Sequence, residues 1–169
     1  MLIFVFTELM VFAAFISSFS IIRASSMAWP PPGQPRLPLE ATAINSAALM
    51  ASGVVLAYAH RVYQRDREGA KTPLLVAILL GAFFLIFQGA EWVALVSQGL
   101  TLTSSILGSF FYLIIGLHAL HVIAALGALI YAWQQLQRGS SNSAPLYVGE
   151  IFWYFVVLVW PFLYLRVYP

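Results

Sequence analysis

In 169 residues the chain is 62% hydrophobic and 8% charged, with a net charge of +2, where a water-soluble domain carries about a quarter charged residues. That balance excludes a soluble enzyme or a nucleic-acid binder and requires an integral membrane protein. The absence of cysteine also excludes disulfides, iron–sulfur clusters and thiolate metal sites.

The opening MLIFVFTELMVFAAF lacks the basic n-region and small-residue cleavage site of a signal peptide and reads as a retained first span over 2–22. The stretch that follows, with AWPPPGQPRLP, holds five of the nine prolines. It favours extended polyproline II backbone, with Trp29 as an interfacial anchor. A second apolar run covers 42–62, and RVYQRDREGAKTP then carries Arg61, Arg65, Arg67 and Lys71. Three further runs cover 74–97, 105–133 and 147–166, joined by an uncharged loop and by one holding only Arg138. Each run can cross roughly 30 Å of hydrocarbon as a helix, and none shows the alternation of a β-barrel strand.

The fold class is therefore an all-α integral membrane protein, one membrane domain over 1–169 built as a bundle of five transmembrane helices. Alternating the spans puts Arg61, Arg65, Arg67, Lys71 and Arg138 on the side of the N-terminus and Arg23, Arg36 and Arg166 opposite. The positive-inside rule then predicts an N-in, C-out orientation. The fourth run exceeds a bilayer crossing and is expected to tilt or protrude. No internal repeat of the transporter kind is visible.

Ionisable residues inside the membrane are functional candidates by default. Glu8, Glu91, His118 and His121 are singled out, with His60 read as interfacial. Counted along its own helix, Glu8 lies about 10 Å from the inner end of the first span, and His121 about 18 Å from the inner end of the fourth. His118 and His121, in GLHALHV, share a helix face and cannot sandwich one iron between them. His60 lies too near its own span's inner end to meet His121 at one depth. Two histidines and Glu91 form a chemically reasonable but scattered metal-ligand set. The simplest reading is that both histidines hydrogen-bond neighbouring helices or lipid head groups. Gln88 lies on the face of Glu91, one turn away. Glu8 stands between proton handling and fixing helix packing. The last span is aromatic throughout, with Trp153 and Trp160 on one face and Pro161 near its outer end. No nucleophile triad, phosphate loop or catalytic carboxylate pair is visible.

Taken in order, these segments resemble subunit III of the haem–copper oxidases, the cytochrome c and quinol oxidases, in a short five-helix form. FTELMVFAAF, with Glu8, is similar to the family's first shared segment. AWPPPG followed by AINSAALMASG is similar to its WPP loop and the next helix, led by Asn45. FQGAEW, then GSFFYLIIGLHALHV, resembles its most specific stretch, and FWYFVVLVWPFLY its Trp-rich final helix. Tyr154 and Val157 stand where the family usually has His and Asp, and Gln134 and Gln135 where members often carry Arg.

The resemblance implies a non-catalytic subunit of aerobic respiratory electron transport in a bacterial-type inner membrane. It implies no cofactor in this chain, with haem and copper in the partner subunit I. The partners implied are subunit I, other subunits of the complex and phospholipid, and no nucleic acid. Proton uptake and sustained turnover would be supported, with Glu8 the carbodiimide-reactive carboxyl. Asn45, Gln88, Glu91, His118 and His121 would be structural or lipid-linked polar groups of the bundle. Two alternatives stay open: a subunit III-like accessory protein of a nitric oxide reductase, and a small membrane cytochrome or metal enzyme using His118 and His121. The chain begins almost at its first helix, which leaves room for an upstream portion.

Overall fold

A computed structural model describes residues 1–25, 37–139 and 142–168. The WPP segment, with Trp29 and Arg36, lies outside the described residues. Five helices follow one another: α1 (Leu2–Ser25), α2 (Leu39–Tyr63), α3 (Lys71–Ser97), α4 (Ile106–Gln137) and α5 (Ala144–Val167). All five are long and apolar enough to cross a membrane. In lipid the backbone must satisfy its own hydrogen bonds, so apolar runs of this length become helices.

The helices outrun the apolar runs at several ends because capping, not apolarity, terminates them. Pro38 precedes α2 and Pro145 stands in the first turn of α5, where a missing N–H costs nothing. Ser105 caps α4 by accepting from the Gly108 amide at 3.0 Å. Gly99 ends α3 at φ 92°, and Gly139 follows α4 at φ 69°, left-handed conformations that glycine alone adopts without strain. At 32 residues, α4 is about 48 Å long and must protrude from the hydrocarbon, carrying Gln134 and Gln135 beyond it.

Packing proceeds in a closed ring. The α2–α3 and α4–α5 hairpins are the tightest pairs, and α3 meets α4 while α5 meets α2. Helix α1 stands outside this ring, seated on α4 and α5 and on no other helix among the described residues. At the ring's centre Trp153, Trp160, Leu56, Phe84 and Ile114 are almost completely buried. A Cβ added at Gly81 would collide with Trp153 Cη2, so the ring's depth at that level is set by an indole lying against a bare backbone.

Candidate functional site: buried polar pairs and the α1 groove

Lipid offers no hydrogen bonds, so the buried polar side chains must find partners on neighbouring helices. Where α2 begins and α5 ends, Thr42, Gln88, Glu91 and Tyr168 converge. Thr42 Oγ1 donates to the Glu91 carboxylate, 3.0 Å from both oxygens. Gln88 Nε2 lies 3.0 Å from Glu91 Oε2 and 3.0 Å from the Tyr168 hydroxyl. Burial first, then the Glu91 charge, raises the Tyr168 phenol above its ordinary range. The Gln88–Glu91 partnership follows from their one-turn spacing. Thr42 and Tyr168 come from α2 and the end of α5 and give no local signal.

Nearer mid-membrane, Asn45 Nδ2 donates to the Phe84 carbonyl at 3.2 Å. The two indoles of α5 donate to serines of α2: Trp160 to Ser46 Oγ at 2.7 Å and Trp153 to Ser52 Oγ at 3.1 Å. His118 stacks on Trp160, with ring centres 4.9 Å apart and planes 29° from parallel. His121 faces α1 instead. Its Nδ1 lies 2.7 Å from the Leu117 carbonyl, which can only accept, and its Nε2 lies 3.0 Å from Glu8 Oε2. Nδ1 is thereby committed as a donor, which leaves Nε2 free to share a proton with the Glu8 carboxyl.

Glu8 and His121 therefore meet, although depths counted along their own helices differ by about 8 Å. The count from helix ends fails because α1 starts partway up the bundle: Phe4, in its first turn, lies edge-on to Phe152 at 5.6 Å, two turns into α5.

Near the end of α2, His60 is half-buried and paired. Its Nδ1 lies 2.8 Å from Glu150 Oε2, and Gln64 Nε2 lies 2.8 Å from its Nε2. Gln64 donates, so Nε2 accepts and the Nδ1 proton points to the carboxylate. Glu150, only 4% exposed, is the residue that sequence reasoning misses. Its signal is the lone carboxylate in YVGEIFW, two residues ahead of the Trp-rich stretch. The three histidines thus serve separate partners, and no group of three or more His, Asp or Glu able to hold a metal ion occurs among the described residues.

Along α1 runs an open, mainly apolar surface. Two adjoining cavities lie along its groove with α5, sharing Leu9, Val159 and Phe162 as walls. One, of about 550 Å³, is walled also by Phe12, Ile16 and Ser20, with Arg166 at its far end; the other, of about 330 Å³, lies between Val5 of α1 and Ile151, Tyr154 and Leu158 of α5.

Five apolar helices with their polar side chains turned on one another define a multi-pass α-helical membrane protein. The family model described as cytochrome c oxidase subunit III matches residues 1–169. Cytochrome c oxidase subunit 3 of Rattus norvegicus is 33% identical over 99% of this chain and 67% of its own length. The subunit 3 of Emericella nidulans is 35% identical over 98% of this chain and 64% of its own length, and that of Pelomedusa subrufa is 33% identical. The chain spans about two thirds of the length of these relatives. It belongs to the cytochrome c oxidase subunit III family, and so to the respiratory chain, as one subunit of an oxidase complex.

Proposed function

We propose that this subunit carries no redox chemistry of its own and acts by packing on the haem–copper subunit I, holding phospholipid and sustaining proton uptake during turnover. The observation that carries the reading is α1: a helix bare on most of its surface, with two adjoining apolar cavities in its groove with α5, and held to the ring by a few contacts that include the Glu8–His121 pair. The bare surface suits a partner helix or acyl chains, and Arg166 at the outer end of one cavity suits a lipid phosphate. Glu8 and His121 can exchange their shared proton without moving apart, as a group tuning proton supply on the inner side requires. The orientation is N-in and C-out in a bacterial-type inner membrane, from the five basic residues against three. A periplasm-active phosphatase fused after Pro169 should be active, and one fused near Gly69 silent.

The central test is removal of the chain from its complex. Haem spectra should stay normal and initial oxygen consumption appreciable, while activity decays faster during turnover. Loss of haem, or progress curves identical with and without the chain, would refute the role. Glu8→Gln refines it. The amide can still donate to His121 Nε2, so packing survives, but proton exchange does not. Faster decay in Glu8→Gln assigns the carboxyl to protons; wild-type decay assigns it to packing.

A further inference from the structure

A third cavity, lined by no residue of α1, is bordered by side chains whose polar atoms the subunit's packing leaves unanswered. It lies between α3, α4 and α5, measures about 110 Å³, and has apolar walls that include Phe84 and Ile115. Gln88, Trp92 and His118 also line it. Each carries a buried polar atom without a hydrogen-bond partner among the described residues: Gln88 Oε1, Trp92 Nε1 and His118 Nε2. His118 is 1% exposed and Gln88 3%. Three residues lining one small chamber thus each carry an orphan polar atom, where buried polar groups in folded proteins are nearly always paired.

Their chemistry is specific. The Gln88 amide nitrogen is spent on Glu91 and Tyr168, which fixes the amide's orientation and leaves Oε1 as a pure acceptor. The Trp92 indole is a pure donor, and His118 Nε2 is either, according to tautomer. An ester or ketone, which only accepts, would leave Gln88 Oε1 unmet. An ammonium, which only donates, would leave Trp92 unmet. A hydroxyl donates and accepts at once. The chamber admits only a few heavy atoms, and two of its lining residues, Gly89 and Ile123, are exposed on the bundle's surface.

We propose that this chamber is a binding site for a small hydroxyl group, donated to Gln88 Oε1 and accepting from Trp92 Nε1–H. The hydroxyl is either that of water or the alcohol head of a membrane amphiphile entering past Gly89 and Ile123. This site is lined by no residue of α1 and does not depend on the role assigned to that helix.

The test uses the full chain in lipid nanodiscs, labelled with 5-fluorotryptophan and followed by ¹⁹F NMR, with the Trp92 resonance assigned by Trp92→Phe. Titration with 1-butanol should shift that resonance saturably, at about tenfold lower concentration in the membrane than n-pentane, the equivalent of roughly one hydrogen bond. Ala119→Leu, which fills the chamber, should abolish the shift. His118→Phe, which keeps a ring against Trp160 and removes Nε2, should weaken it, so the proposal stays testable should the filled variant fail to fold. Equal responses to butanol and pentane, or none to either, overturn it. Where butanol is preferred, exchange of the Trp92 indole proton names the source: rapid exchange in D₂O assigns the natural guest to water, and a protected proton to a membrane alcohol.

Discussion

Helices α1 and α5 have 24 residues each and are comparably apolar, yet their surroundings differ. In the most apolar stretch of α1 11% of residues are buried inside the protein, against 56% in α5. Hydrophobicity cannot account for this, because lipid tails welcome apolar side chains as readily as a protein core does. What separates them is the detail of fit. Helix α5 donates from two indoles to serines of α2, lays Trp153 on the bare backbone of Gly81, and brings Gly149 within 3.1 Å of Leu129 for an added Cβ. Helix α1 has Phe12 seated among His118, His121 and Phe155, the Glu8–His121 pair, and an Arg23 hydrogen bond to the Arg166 carbonyl at 3.4 Å. One helix is held by shape, the other by a few points of contact.

The contrast can be attacked first where it is strongest. Trp160→Ala removes a fully buried ring, its hydrogen bond to Ser46 and its stack on His118, and should cost about 3–5 kcal/mol in reversible unfolding in mixed micelles. A smaller loss would mean that α5 is less central than its burial suggests. Gly81→Ala comes next: a methyl group beside Trp153 should cost about 1–3 kcal/mol by forcing the indole out of place. A shift in near-ultraviolet circular dichroism would show the displacement. Glu8→Ala should weaken the seating of α1 by about 1 kcal/mol, the scale of a hydrogen bond between membrane helices. The rest of the ring should stay intact. Spin labels at Ser18 and Leu165 should report a broadened distance distribution between α1 and α5. The chain has no native cysteine to interfere. Smallest of all, Phe6→Ala and Met10→Ala lie on the bare face of α1, 67% and 73% exposed, and should change the chain's own stability by less than about 0.5 kcal/mol. Their effect should instead appear as poorer retention of the chain in the oxidase complex. Equal retention would argue that lipid, not a subunit, covers that face.

The five helices were legible because in lipid the backbone leaves few choices, and runs such as TPLLVAILLGAFFLIF admit only one. The ends were less so. QQLQ reads as loop by hydropathy but is a good helix former, and α4 continues through it to Gln137. Among polar residues, Gln88 and Glu91 could be paired in advance because one helical turn joins them. Glu8 with His121, and His60 with Glu150, join α1 to α4 and α2 to α5. Which helices become neighbours is decided by how side chains interlock across the ring, and spacing along one helix carries no record of that. The start of α1 above the inner ends of its neighbours is likewise invisible to counting along the chain.

The ring of α2 to α5 closes without α1, and α1 rests only on α4 and α5. During synthesis α1 is the earliest of the five to reach the membrane, while both surfaces that will receive it are still untranslated. At ribosomal speeds of roughly 5–20 residues per second, the stretch from α2 to α5 takes on the order of ten seconds to emerge. For that interval the carboxyl of Glu8 is without its histidine and faces lipid, water or the insertion machinery. A helix made before the surfaces that receive it is open to capture by any other membrane surface it meets. The order of assembly, and with it the choice between docking at home and docking elsewhere, is thus written into which helices touch.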